Sequence, residues 1–195
     1  MPPDLIIVTG PPATGKTTLA RDLARRYRLP LVDKDAIKER LFDRLGWRDR
    51  EWSRQLGRAS YDLLYYFIEV QLTAGRSAIV ESNFYPAFDT AKFAALARQY
   101  PFRPIQIYCH APVAVILDRY RRRVEAGERH PGHVDAQNYA EIRAAAEAGR
   151  NGPLDLGGPI YRLDMSDFAA VDRERLYLWL AAVLAASAHA ESVGE

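Results

Sequence analysis

The chain has 195 residues, 48% of them apolar and 27% charged, with a formal net charge of +2. That length buries a continuous core in one domain, and the composition excludes both a disulfide-stapled mini-protein and a disordered chain. The near-neutral balance gives no sign of a nucleic-acid-coating protein. Of the 27 cationic residues only Lys16, Lys34, Lys38 and Lys92 are lysine. The rest are arginine, which suits bidentate recognition of phosphate and carboxylate. The single cysteine, Cys109, has no intramolecular partner, and no signal pattern or apolar run of roughly 20 residues occurs. A cytoplasmic protein that neither enters nor crosses a membrane is expected.

Five β-like runs follow one another along the chain: Leu5–Thr9, Leu31–Asp33, Ser77–Ser82, Pro104–Cys109 and Ile160–Leu163. Helical patterns separate them over Lys16–Tyr27, Ala36–Leu45, Arg50–Ala74, Ala87–Gln99, Val113–Ala126, Ala136–Ala148 and Val171–Ala188. This alternation predicts a parallel α/β sheet in a single domain over 1–195. In the long helix, Trp52, Leu56, Leu63, Phe67 and Val70 recur at helical spacing and are expected to form its packing stripe. A neighbouring face with Arg54, Arg58, Tyr61 and Tyr65 reads first as solvated and second as the lining of a substrate cleft. Gly149–Pro159 reads as one extended surface loop, and the residues from Ala188 to Glu195 are expected to fray.

Directly after the first strand stands Gly10-Pro11-Pro12-Ala13-Thr14-Gly15-Lys16-Thr17, which fits G-x-x-x-x-G-K-[ST] in its required strand-to-helix context. Glycines let such a loop close round a polyphosphate, so that amides through Thr18 at a helix N-terminus face negative charge. Lys16 supplies a mobile cation for the β and γ phosphates, and Thr17 offers a hydroxyl to Mg²⁺. The motif identifies a nucleotide and not a reaction. No Asn-Lys-x-Asp guanine motif is present.

After the second strand, Leu31-Val32-Asp33-Lys34-Asp35-Ala36 places two carboxylates on a strand-to-helix turn, at the sheet edge where α/β proteins bind ligands. One carboxylate there can orient or deprotonate an attacking hydroxyl while its neighbour holds the water shell of Mg²⁺. Alternatively Asp35 caps the helix that follows. The P-loop, the Asp-x-Asp turn nineteen residues beyond its lysine and a later arginine-rich helix together resemble the small P-loop kinases. Shikimate kinase, gluconate kinase, adenylylsulfate kinase, chloramphenicol phosphotransferase and the zeta toxins share that layout. The chain is most similar to the AAA-type predicted kinases beside the last two. The resemblance implies a three-layer P-loop NTPase sandwich with a five-stranded parallel sheet ordered 2-3-1-4-5 and a helical lid. It also implies that Asp35 serves as base or acceptor-hydroxyl ligand and that Asp33 serves Mg²⁺ through water.

The third strand closes on Glu81, followed by Ser82 and Asn83. Glu81 is open to three roles: metal chemistry, anchoring of the P-loop, or holding a lid arginine. Asn83 is a candidate acceptor contact. Val113–Ala126 and the loop after it make 119–135 the densest cationic segment; taken alone it reads first as a solvated basic face, and beside the P-loop it reads as the lid. Arg123 and Arg129 are its candidate catalytic groups and Arg119 a candidate nucleotide contact. His130 and His133 are read as lid-loop residues rather than a zinc pair, since no second ligand pair completes a tetrahedral set. Asp164 and Ser166 sit where similar kinases cover the base. The resemblance as a whole implies an ATP- and Mg²⁺-dependent kinase, monomeric or homodimeric. It would act on a small-molecule hydroxyl, with an acceptor region over 41–74. Two other readings are a nucleotide-binding regulatory module with little turnover and a polynucleotide 5′-hydroxyl kinase.

Overall fold

Along the strand Asp4–Thr9 (β1) side chains alternate between faces, and the computed structural model, which describes residues 2–191, builds its layers from that alternation. Ile6 and Val8 point toward the helices Lys16–Tyr27 (α1) and Arg173–Glu191 (α7), meeting Leu19, Leu23, Leu176 and Leu180. Leu5 and Ile7 point the other way, toward Arg50–Thr73 (α3) and Pro86–Gln99 (α4), meeting Leu64, Ile68, Phe93 and Leu96. Two cores on the two faces of one sheet make the three-layer sandwich.

The other strands are Leu31–Asp33 (β2), Ala78–Glu81 (β3), Arg103–His110 (β4) and Ile160–Asp164 (β5). All pairings are parallel, in the order β2-β3-β1-β4-β5 implied by the resemblance to the small P-loop kinases. Lys34–Leu45 (α2) leads into α3, Val113–Glu125 (α5) follows β4, and a 3-10 turn at Pro131–His133 leads into Asp135–Glu147 (α6). The register sets Asp33 beside Glu81 and Val8 beside Glu81, so the ends of β2, β3 and β1 finish level at one sheet edge.

Three expectations need correction. Helix α3 buries Ser53, Leu56, Ser60, Leu64, Ile68 and Leu72. Of the expected stripe only Leu56 belongs to it, while Leu63, Phe67 and Val70 are exposed. The helix carries apolar residues on more than one face, and the buried serines disguised the face that packs. Second, α2 begins at Lys34, and its cap is Asp33 rather than Asp35: the Asp33 carboxylate accepts the backbone N–H groups of Asp35 at 2.9 Å and Ala36 at 3.2 Å. Third, the loop over 149–159 is not merely superficial. It inserts Leu154 into the α3/α4 core, where the buried Gln106 amide donates to the Leu154 carbonyl at 2.8 Å and accepts its N–H at 2.7 Å. At the C-terminus α7 runs to Glu191, through part of the segment expected to fray; the rest of that segment lies outside the described residues.

The corrected stripe separates two adjacent residues. Ile68→Ala should cost about 2–5 kcal/mol through the cavity it leaves. Phe67→Ala, at a side chain 42% exposed, should cost under about 1 kcal/mol. Urea unfolding of both variants measures the difference, and equal losses would restore the original stripe.

Candidate active site

The P-loop leaves β1 through Gly10, whose φ of 140° places it under the end of β4; a Cβ there would fall on the Cys109 carbonyl oxygen. Only glycine passes this point without displacing the strand. Thr14 donates its hydroxyl to the Pro11 carbonyl at 2.8 Å, fixing the loop's curvature. Gly15, left-handed at φ 75°, starts α1 with no side-chain cap. The first amides of the helix, at Lys16, Thr17 and Thr18, are therefore left to a ligand. Lys16 is buried and donates to the Pro11 carbonyl at 2.6 Å, within the loop that a phosphate would fill. Burial pushes its pKa down, against the opposing pull of Glu81.

Glu81 resolves one open question, because its Oε2 accepts the Thr17 hydroxyl at 2.7 Å. It ties β3 to the P-loop. Burial pushes its pKa up to about 7; Lys16 opposes the rise and Asp33 adds to it. A buried carboxylate beside a P-loop hydroxyl, with a second carboxylate next to it, is a donor set suited to a hard divalent cation. Asp33 itself does not line the pocket: its Oδ1 is the α2 cap, and its Oδ2 lies 3.7 Å from Arg21. Its effect on the pocket is its field on Glu81.

Asp35, freed from capping, turns to the pocket and ion-pairs with Lys34 at 2.7 Å and with Arg129. Burial pushes its carboxyl up, but Lys34, Arg129 and His133 outweigh this and hold it well below the usual carboxylate range. Asn83 lines the same pocket, a space of about 190 Å³ bounded also by Pro12, Ala13, Lys16, Thr17 and Arg123.

Two of the three lid arginines converge there. Arg129 bridges Asp35 and Asp135, the latter at 3.0 Å. Arg123 lies 3.9 Å from Asp135, and its buried Nε and Nη2 have no hydrogen-bond partner. Arg119 does not reach the phosphoryl end. It donates to the Met165 and Ser166 carbonyls at 2.6 and 2.8 Å and stacks 3.7 Å over Phe168, in the turn that contains Asp164 and backs onto Gly15. The histidines hold the lid loop down. His133 contacts Glu39 at 2.9 Å, while His130 stacks on Phe42 at 5.1 Å and contacts Asp43 at 3.2 Å. On α6, Glu141 pairs with Arg50 at 2.7 Å and with Arg54. The acids Glu39, Asp135 and Glu141, and the lysine Lys38, were not read from the sequence. The partners of Glu39 and Glu141 are some ninety residues away, so no local spacing marks them.

The Glu81 shift makes a pH prediction. With its folded pKa raised from 4.5 to about 7, its stabilising contribution is complete below pH 4.5 and is lost as pH rises through 7. Glu81→Gln should match the wild type near pH 4.5 and be more stable at pH 8, on the order of 2 kcal/mol or roughly 5 °C in Tm. Thermal unfolding of the ligand-free protein at the two pH values checks this; a pH-independent difference contradicts it.

Residues 5–148, more than half of the chain, match the model of the AAA domain family. No curated protein matches. Among solved structures, a candidate kinase from Chloroflexus aurantiacus J-10-fl is 44% identical over 93% of this chain and 98% of its own, with a TM-score of 0.86. A sugar kinase from Janibacter sp. HTCC2649 is 19% identical over 84% of this chain and 86% of its own, with a TM-score of 0.52. A gluconokinase from Sinorhizobium meliloti 1021 is 14% identical over 100% and 99%, with a TM-score of 0.55. The latter two share the fold at that identity. With its P-loop, its 2-3-1-4-5 sheet and the 44% identical relative, the chain belongs to the AAA domain family and has the architecture of the small P-loop kinases.

Proposed function

We propose that this protein is a kinase that moves the γ-phosphoryl group of ATP to a hydroxyl of a small molecule, such as a metabolite, an antibiotic or a nucleotide sugar. The observation that carries the reading is the shared pocket: the P-loop lysine, an ionised Asp35 and Arg123, whose guanidinium keeps Nε and Nη2 without a hydrogen-bond partner, line one volume. A passive nucleotide binder needs the first of these and has no use for the other two.

In this reading the P-loop amides and Lys16 hold the phosphates, with Lys16 exchanging the Pro11 carbonyl for phosphate oxygen. Thr17 and Glu81 are the residues that fit Mg²⁺, which when bound neutralises charge on the β and γ oxygens. Arg123 offers its free N–H groups to the equatorial oxygens of the transferring group. Arg129 joins it by trading its pair with Asp35 for phosphate. That trade frees one Asp35 oxygen to accept the hydrogen bond of the acceptor hydroxyl. A carboxylate held this acidic is a weak base, so Asp35 acts first by orientation and takes the proton late in the transfer.

Asp35→Asn should lower acceptor-stimulated ADP release roughly a hundredfold or more, with ATP affinity little changed. Arg123→Ala should lower kcat by about 10²-fold or more while leaving ATP binding largely intact. ADP release and nucleotide titrations across sugars, nucleosides, nucleotide sugars, aminoglycosides and oligonucleotides measure both. Wild-type rates in Asp35→Asn would remove its assigned role. Tight ATP binding with no stimulation by any compound would replace the kinase by a regulatory nucleotide switch.

A further inference from the structure

All four lysines of this arginine-rich chain gather at or beside one sheet edge. Lys16 belongs to the P-loop, and the other three lie against a single stripe of α3. Ser53, Gly57, Tyr61 and Tyr65 follow at four-residue spacing and so share a face of that helix. Lys38 donates to Ser53 Oγ at 2.9 Å and packs by Gly57, where an added Cβ would sit 3.6 Å from its Nζ. The Lys34 and Lys92 ammonium groups lie 5.5 and 5.9 Å from the centre of the Tyr61 ring, and Lys92 is 5.2 Å from that of Tyr65.

These lysines are poor in counter-charge. Several arginines pair with acids, as Arg50 and Arg54 do with Glu141 or Arg173 with Asp22. Among the described residues, Lys38 and Lys92 have no carboxylate within ion-pair distance, and Lys34 shares Asp35 with Arg129. Asp89, on the same helix as Lys92, is occupied: one oxygen accepts the Tyr65 hydroxyl at 2.9 Å and the other the Tyr85 N–H at 2.7 Å. Burial pushes the Lys38 ammonium down to about 7, and Lys34 adds to the fall. The Tyr61 hydroxyl is spent on Ser82 Oγ at 2.9 Å and the Asn83 carbonyl at 3.3 Å, which fixes the ring near both ammonium groups and next to Asn83, a residue of the P-loop pocket.

From this we infer that the acceptor carries an anionic group, carboxylate or phosphate, besides the hydroxyl it phosphorylates, and that Lys34 and Lys92 hold that group beside the Tyr61 ring. The inference rests on the kinase reading above and narrows its substrate class. Lys34 links the two parts of the acceptor site, since its Nζ is 2.7 Å from Asp35 Oδ1: the reacting hydroxyl lies at Asp35 and the anion one ring away. Ammonium groups suit the task because each is a compact point charge with three rotatable donors, able to follow an anion without the planar fork of arginine.

The test pairs acceptors that differ only in charge: a six-carbon aldonic acid with its alditol, and a hexose phosphate with the free hexose. Wild-type kcat/KM should favour one charged member over its neutral partner by about a hundredfold, and which pair shows it tells carboxylate from phosphate. Lys92→Ala should raise KM for the charged acceptor roughly tenfold with kcat changed much less, Lys92→Glu should raise it further, and Lys92→Arg should recover part of the loss. Neutral acceptors used as well as charged ones, with Lys92→Glu blind to the difference, overturn the anionic acceptor and leave the kinase standing. If no compound accepts phosphate, the kinase reading fails instead, and amine acetylation then decides the anion site. With four lysines in the chain, mass spectrometry reads each one. Protection of Lys34 and Lys92 by the aldonic acid or the hexose phosphate supports the site, and no protection overturns it.

Discussion

The site depends on an unfavourable electrostatic arrangement that the sheet imposes. Parallel pairing sets Asp33 level with Glu81 at the ends of neighbouring strands, beneath the P-loop. Two carboxylates brought out of water side by side repel, and each resists ionisation. The protein answers with three contacts: the α2 amides on Asp33, the Thr17 hydroxyl on Glu81, and the nearby ammonium of Lys16. Helix α1, the start of α2 and the loop between β1 and α1 are all positioned by these groups, so the nucleotide end of the molecule is organised round a buried negative charge that a cation would complete.

The side of the pocket opposite the P-loop has the opposite character. The segment from Arg129 through α6 is held to α2 and α3 by polar contacts whose partners are distant in sequence: Arg129 with Asp35, His133 with Glu39, His130 with Asp43, Glu141 with Arg50 and Arg54. Gly132 lets the 3-10 turn rest on the Phe42 ring, which a Cβ would strike. Several of these contacts are exposed or half-exposed ion pairs, each of small net worth in water. A segment fastened by many weak contacts and few apolar ones can open without unfolding the sheet. Arg129 is the exception, because it is held by two carboxylates, Asp35 and Asp135.

The five strands, the P-loop and the convergence of Lys16, Asp35, Arg123 and Arg129 were legible because each has a local mark: strands bounded by turns, glycines at fixed offsets, or a dense run of arginine; the strand order has no such mark and came from the resemblance to the small P-loop kinases. What escaped has a physical reason in each case. The packing face of α3 was obscured because Leu63, Tyr66, Phe67 and Val70 supply a second apolar stripe, while Ser53 and Ser60 fill part of the true one. The division of labour between Asp33 and Asp35 turns on where α2 begins, a matter of one or two residues that periodicity does not fix. Arg119 was grouped with the lid by composition, whereas its guanidinium binds carbonyls in a turn more than forty residues later. The lysine stripe needed the structure, because Lys34, Lys38 and Lys92 come from two helices and meet only on a third.

Arg119 and Arg123 stand four residues apart on α5, one turn of the same helix. The first is clamped to the β5–α7 turn by two carbonyls and an aromatic ring; the second lines the P-loop pocket, its Nε and Nη2 without a hydrogen-bond partner. The intervening helix is therefore a ruler with one end nailed down. The exposed residues 121 and 122 can change identity freely, but their number cannot change. A single insertion or deletion there would swing Arg123 by about 100° round the helix axis and carry it out of the pocket, with the fold otherwise intact.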